Sequence, residues 1–316
     1  MGVKIKLRRI VQLSFFLFSI YTWWRFYLFV KHFDEGTEFV PRPVSIEAYL
    51  PIGGLVSIKN TLLNGYIDPI HPAAMVILSA IIVSAIFLKR GFCGWVCPVG
   101  TLSEAISFVG EKILPRIRIP EFVKVIKYSL MAFFLFSVLM MDRYEVAAFL
   151  RTPYWAIADV KLLDFWLNPG TLTIVVTSLI VLLTLFTRNL WCRYLCPYGA
   201  FLAIFSFLSA FKIRKTNCIN CKACDNVCPA GIKISEKKEV NSAECIACYD
   251  CIEVCKTKGL YMDFLDKRVR KEVYVAVLLA ILFGFVIVAK ITGNWDSALT
   301  YEDYKRLMKI REFITH

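Results

Sequence analysis

Apolar residues gather into five long runs, at about 10–30, 72–88, 124–141, 171–187 and 273–289. Each approaches the roughly 20 residues that a helix needs to cross hydrocarbon. The first run follows Lys4, Lys6, Arg8 and Arg9. No small-residue cleavage site follows it, and it is rich in aromatics such as Phe15, Phe16, Trp23 and Trp24. It therefore predicts a retained span and not a cleaved leader. Two amphipathic stretches, 98–113 and 197–211, lie between runs. In the first, Val99, Leu102, Ile106, Val109 and Ile113 form a helical apolar stripe, with Glu104 and Lys112 off it. These stretches are expected along the inner membrane surface or in ordinary core.

Composition agrees with the runs. Hydrophobic residues make up 58% and mean hydropathy is +0.58, whereas soluble domains are about 45–50% apolar. This argues against a soluble enzyme or a disordered chain. The net charge of +13 would suggest nucleic acid, but its distribution does not. With alternating sides, the N-terminus, 89–127 and 188–271 carry 26 Lys and Arg, and the opposite side (31–71, 142–170, 290–316) carries 11. The positive-inside rule makes the first side cytoplasmic. The charges then read as solvated flanks of the spans, the expected partner is membrane lipid, and no nucleic acid is expected.

Twelve cysteines and only three histidines turn attention to metal chemistry, because cytosolic thiols stay reduced. Cys218-x2-Cys221-x2-Cys224-x3-Cys228-Pro is repeated as Cys245-x2-Cys248-x2-Cys251-x3-Cys255. In this two-cluster spacing three cysteines of a run hold one [4Fe–4S] cluster and the fourth serves the other. Cys218, Cys221, Cys224 and Cys255 are expected around the first cluster. Cys245, Cys248, Cys251 and Cys228 are expected around the second. Structural zinc is the competing reading, but zinc sites usually pair C-x2-C units.

The remaining cysteines form Cys93-Gly-Trp-Val-Cys97-Pro98 and Cys192-Arg-Tyr-Leu-Cys196-Pro197, offset by 99 residues. The same offset superposes Lys89 on Arg188 and Gly100 on Gly199. The membrane part thus reads as a parallel internal repeat. Cys93, Cys97, Cys192 and Cys196 are expected to form a third metal centre, a [4Fe–4S] cluster or zinc, between the ferredoxin clusters and the membrane. Small buried cysteines or redox dithiols are the plainer alternatives.

Arg90-Gly-Phe-Cys-Gly-Trp-Val-Cys-Pro-Val-Gly100 and Leu190-Trp-Cys-Arg-Tyr-Leu-Cys-Pro-Tyr-Gly199, followed by two ferredoxin runs, resemble the membrane polyferredoxin family of NapH-type and NosR-type proteins. The resemblance covers roughly 70–262. It implies a bacterial inner-membrane electron-transfer protein coupled to the quinone pool, acting with respiratory subunits of iron–sulfur or cytochrome c type. Unlike NosR-type chains, no flavin-binding domain precedes the first run. Unlike NapH-type chains, a fifth run and an outer tail, 290–316, follow the ferredoxin motifs. The CcoG-type oxidase assembly factors share that order but carry a larger outer domain.

The expected architecture is an all-α membrane bundle of about five spans with an α+β ferredoxin-like module. Residues 1–215 form the membrane domain, 216–262 the 2[4Fe–4S] module, and 263–316 the last span and tail. On the outer side, Arg25, His32 and His71 are the candidate quinone pocket. Ionisable groups at membrane depth are functional candidates, and histidine accepts protons near neutrality. Interfacial anchoring is the competing reading for all three. The function expected is a quinol-linked oxidoreductase subunit. A metal-reducing maturation factor and a redox sensor are the alternatives. Alkaline phosphatase fused after His316 is expected to be active, and fused near Ser235 silent. Equal activity at both sites would refute five alternating spans.

Overall fold

The computed structural model describes residues 7–115, 117 and 119–314, so Lys4, Lys6 and His316 lie outside the described residues. All five apolar runs are helical. Among the described residues, three helices are long and apolar enough to cross a membrane: Leu7–Glu35, Glu121–Met140 and Lys271–Ile291. A fourth is reached only if Ala158–Leu167 and Thr171–Phe186, bent by 77°, form one span. Pro72–Leu88 is apolar throughout but 17 residues long, at the short end of the spanning range of about 17–25. Prolines open many of these helices, at Pro51, Pro72, Pro98, Pro153 and Pro197. The first turn of a helix has no use for the N–H that proline lacks.

The chain divides into two compact units, each built from three stretches. Met1–Leu17, Ile81–Ala132 and Val176–Ile281 form one; Phe18–Ala80, Phe133–Val175 and Leu282–His316 form the other. The first holds every cysteine. Its sheet has strand order β2-β1-β3-β4, with β1 Phe211–Lys215, β2 Glu239–Val240, β3 Leu260–Phe264 and β4 Lys267–Arg268, all pairs antiparallel. Ile213 pairs with Met262 in register, and both are buried. Short helices Ala223–Val227 and Asp250–Glu253 follow the two cysteine loops. This is the small α+β part, beside helices that are otherwise apolar.

Helix Pro98–Ile113 is built inside out relative to a soluble helix. Its buried face is Gly100, Ser103, Glu104, Ser107 and Gly110. Its apolar stripe, Val99, Leu102, Val109 and Ile113, is exposed. Such a helix turns its small and polar residues to protein and its apolar side outward, as membrane packing requires. Glu104 is 3% exposed and bonds Arg8 at 2.8 and 3.1 Å and Gln12 at 2.9 Å. Arg8 also reaches Asp250 at 2.7 Å.

These contacts correct the expectation of solvated flanking charges. Arg8, Lys89, Arg90 and Lys127 are all buried. Arg90 meets Glu244 at 2.6 Å, and Lys127 meets the same carboxylate at 2.7 Å. The Lys89 ammonium reaches the Ser206 carbonyl at 3.2 Å and the Asn241 side chain. Arg8, Arg90 and Lys127 therefore pair with carboxylates of the same unit, and Lys89 with neutral oxygens, because an unpaired buried charge is costly.

The second unit has its own cores. Phe26, Phe29, Ile46, Ile157, Val160, Tyr304 and Met308 form one. Tyr304 and Met308 come from helix Tyr301–Lys309, which Thr300 and Asp303 cap reciprocally. Val56, Val138, Val146 and Trp155 form another.

Two glycines give opposite expectations. A Cβ on Gly110 would lie 1.9 Å from the Leu185 carbonyl oxygen, whereas one on Gly284 would meet nothing within 4 Å. Gly284→Ala should stabilise by roughly 0.5–1 kcal/mol through helix propensity. Gly110→Ala should destabilise by about 1–3 kcal/mol through overpacking. Thermal unfolding of the detergent-solubilised protein should shift in opposite directions for the two variants; equal shifts would overturn the packing account.

Candidate functional site

The two cysteine loops share one backbone design. Residues two and four after the first cysteine, Asn220 and Lys222 in one loop and Ala247 and Tyr249 in the other, have φ of 52°, 55°, 46° and 64°. Left-handed backbone at non-glycine residues costs about 1–3 kcal/mol each and persists where the surroundings over-determine it. Here it turns backbone N–H groups toward sulfur, making an anion-binding nest. Asn220 N–H donates to Cys218 Sγ at 3.4 Å, and Ile232 N–H donates to Cys228 Sγ at 3.3 Å.

Cys218, Cys221, Cys224 and Cys255 line one cavity; Cys228, Cys245, Cys248 and Cys251 line a second. The cysteine that ends each loop thus faces the other loop's cavity. The surroundings differ. Lys215, Lys222 and Lys256 border the first, and its Cys218 and Cys221 are exposed. Ile213, Ile234, Ile246 and Met262 wall the second, and its Cys245 and Cys251 are buried.

A third cavity is lined by Cys93, Cys97, Cys192 and Cys196 together. Both copies of the repeated motif close a wide turn: Cys97 N–H bonds the Phe92 carbonyl at 3.0 Å, and Cys196 N–H bonds that of Trp191 at 2.8 Å. Cys97 and Cys196 are helix N-caps, with Pro98 and Pro197 in the first turn. Gly199 N–H donates to Cys196 Sγ at 3.3 Å. Burial pushes the Cys97 thiol up to about 12, with Cys93 adding to the rise, and it raises Cys192 and Cys196 as well. These three thiols do not ionise together there unless a positive centre offsets them; a coordinating metal deprotonates a thiol outright.

Arg90, Asn189 and Arg193 also line this cavity, and Arg90 Nε, Asn189 Oδ1 and Arg193 Nε are buried without hydrogen-bond partners among the described residues. Soft donors in fours, the Gly199 backbone N–H and the unsatisfied Arg90 and Arg193 Nε–H suit an anionic iron–sulfide group, to which Asn189 Oδ1, an acceptor, adds nothing. No three His, Cys, Asp or Glu side chains among the described residues close on a single-ion position. The third cavity and the second share Pro229, Ala230 and Ile246 as lining residues.

Three charged residues that the sequence did not mark as site residues line one of these cavities. Arg8, Glu104 and Glu244 line the third. Burial opposes the Glu244 charge, but Arg90 and Lys127 hold its carboxyl down to about 2. A carboxylate one residue before Cys245 was the only signal in the sequence. Trp95 and Tyr194, the inner-face alternative for a quinone site in the sequence, are buried: Trp95 donates to the Ala247 carbonyl at 2.9 Å and Tyr194 to that of Ile119 at 3.0 Å.

In the second unit, Arg25, His32 and His71 are not brought together by any contact among the described residues. His71 is fully buried. Its Nδ1 lies 3.1 Å from Glu47 and 3.2 Å from Arg42, and its Nε2 lies 2.9 Å from the Trp155 carbonyl. Arg42 also bonds Glu47 at 2.9 Å and Asp159 at 2.7 Å. Burial would lower the Arg42 pKa, yet Asp159 and the other nearby acidic groups hold it above its usual range. Asp68 is buried too and accepts from the Trp155 indole at 2.9 Å. Trp155 also lines a groove with Tyr49, Phe149, Tyr154 and Phe165. His32 is at the surface, its Nε2 2.9 Å from the Tyr301 hydroxyl. Arg25 is half-buried, with no ion pair among the described residues.

Comparison with known proteins bears on all this. A 4Fe-4S binding domain family matches residues 70–117 and again 168–216, and a 4Fe-4S dicluster domain family matches 210–256. YccM of Escherichia coli (strain K12), named for an inferred role in electron transport, is 37% identical over 98% of this chain and 91% of its own. The likeness therefore runs well beyond residues 70–262 and includes the tail. The ferredoxin-type protein NapH of Haemophilus influenzae is 28% identical over 59% of this chain and 68% of its own. Protein NirI of Paracoccus denitrificans is 31% identical over 71% of this chain but only 34% of its own. No solved structure matches the chain. Two ferredoxin loops, a duplicated C-x3-C-P motif within matched 4Fe-4S domains, and a relative alike over nearly the whole length lead to one conclusion: the chain belongs to the polyferredoxin-type 4Fe-4S electron-transfer family.

Proposed function

We propose that this chain is a quinol-linked electron-transfer subunit of a bacterial inner membrane, exchanging electrons between quinone and respiratory partners. In this reading 1–215 is a membrane domain, 216–262 the 2[4Fe–4S] module, and 263–316 the last span and outer tail. The bundle has five spans, with the N-terminus and the module cytoplasmic. The ligands would be Cys218, Cys221, Cys224 and Cys255 for one cluster, and Cys245, Cys248, Cys251 and Cys228 for the other. Cys93, Cys97, Cys192 and Cys196 would hold a third. When bound, such groups supply single-electron transfer with little bond chemistry. The observation that carries the reading is the shared wall of Pro229, Ala230 and Ile246 between the C-x3-C-P cavity and a ferredoxin cavity.

The protein's own residues do the rest. Isoleucines and Met262 exclude water from the second cavity, and Arg90 offsets negative charge at the third. Quinol oxidation also releases protons. His71 is the candidate acceptor, its Nδ1 3.1 Å from Glu47 and 3.2 Å from Arg42 and its Nε2 2.9 Å from the Trp155 carbonyl. The groove at Trp155 offers aromatic walls for a quinone ring, with the Trp155 carbonyl bonded to His71 Nε2. Arg25 and His32 remain candidates for the same pocket.

Iron analysis should return about twelve iron per chain, and a Cys97→Ser, Cys196→Ser double variant about eight. Retention of all iron and all EPR signals by that variant would remove the third centre. Separately, His71→Ala should slow cluster reduction by a menaquinol analogue at least ~10-fold, equivalent to about 1.4 kcal/mol. Its reduction by dithionite and its iron content should stay as in the wild type. Unchanged quinol kinetics in both His71→Ala and Arg25→Ala would place the quinone elsewhere.

A further inference from the structure

Acids and lysines of the cysteine loops are deployed differently. Asp225 accepts the N–H groups of Ile234 at 2.7 Å and Ser235 at 2.8 Å. Glu239 pairs with Lys212 and Arg214, Glu244 with Arg90 and Lys127, Asp250 with Arg8, and Glu253 with Lys271. Nearly every carboxylate is thus committed within the unit. Lys222, Lys237, Lys238, Lys256 and Lys258 are exposed, with no ion pair among the described residues. The module therefore shows a positive exterior although its acids and bases nearly balance.

This charge gathers at one of the two ferredoxin cavities. Lys222 and Lys256 border the cavity of Cys218 and Cys221, the two exposed thiols among the chain's cysteines. Ile219, between those thiols in sequence, is 63% exposed. Lys258 follows in the turn closed onto the Cys255 carbonyl. Lys222 also borders a neighbouring cleft, where Arg188, Arg193 and Lys233 are paired with Glu111, Glu121 and Glu236. An accessible sulfur site, one apolar side chain and a cationic rim lie together.

We propose that this face docks an acidic one-electron carrier protein of the ferredoxin or flavodoxin class. Complementary charge steers encounter and sets orientation. Carrier complexes are small and transient, so a patch of this modest extent is enough. The second ferredoxin cavity, walled by isoleucines, offers no comparable approach. In the exchange one partner loses one electron and the other gains it; no bond or proton moves. Anionic lipid headgroups would also attract lysine, but a lone exposed isoleucine is a poor apolar face for a membrane surface. The inference needs the cluster of the proposed function only for electron exchange. Docking is measured as binding, so it stands or falls apart from the quinol reaction.

The test uses the full-length protein in nanodiscs of zwitterionic lipid. Binding of a purified acidic 2[4Fe–4S] ferredoxin is measured by interferometry over a salt series, with a basic cytochrome c as control. The ferredoxin should bind, weakening steeply with salt, and the cytochrome should not. Lys222→Glu, Lys256→Glu, Lys258→Glu together should raise the Kd at least ~10-fold, compared with the wild type at equal iron content. Lys305→Glu, Lys309→Glu on the tail helix should leave it unaltered. If the triple variant loses iron, the corresponding Lys→Gln variant should still raise the Kd. Absence of ferredoxin binding, equal binding by the charge variants, or binding abolished in anionic nanodiscs because headgroups hold the lysines, would each overturn the proposal.

Discussion

A buried cation must find an anion, and in the cysteine-bearing unit that requirement fixes the architecture. Arg8, Arg90 and Lys127 are taken out of water beside apolar helices. Their partners are Glu104, Asp250 and Glu244. Two of these carboxylates flank the second cysteine loop, at Glu244 before Cys245 and Asp250 before Cys251. The loop is thereby held by ion pairs to helices that come from other stretches of the unit. Removing one partner of such a pair leaves a buried charge uncompensated, typically at a cost of about 3–5 kcal/mol. The cysteines inherit their positions from this scaffold.

Duplication supplies the second organising element. Each copy carries the same wide turn, the same N-cap cysteine and the same first-turn proline. One copy offers two thiols; the pair of copies offers four around one cavity. Helix Pro98–Ile113 shows how the environment shapes the rest. Its small polar face is inward, where Gly110 lets the Leu185 backbone approach, and its apolar stripe faces outward. Where the solvent is hydrocarbon, an apolar stripe identifies the outside.

The second unit solves a related problem with a denser network. Glu47, Asp68, His71 and Asp159 are buried near Trp155, and the half-buried Arg42 bonds Glu47, Asp159 and His71. Satisfied networks of this kind rigidify a core. The tail helix belongs to this unit's core through Tyr304 and Met308.

What the sequence by itself determined is everything carried by local spacing. The apolar runs became helices, because backbone satisfaction in hydrocarbon leaves few alternatives. The cysteine intervals defined three groups of four, and the proline after each C-x3-C motif marked a helix start. Tertiary structure decided the partners. Arg90 reads as a solvated flank because a charge beside an apolar run looks the same whether water or a carboxylate 154 residues away neutralises it. Glu104 looked like the wet side of its helix, since periodicity finds a stripe but not which side faces protein. His71 was noticed, but Arg42 and Asp159, its neighbours in the network, came from segments with no distinguishing pattern. Periodicity and spacing are properties of adjacent residues; burial and pairing arise only when distant segments close around the same volume.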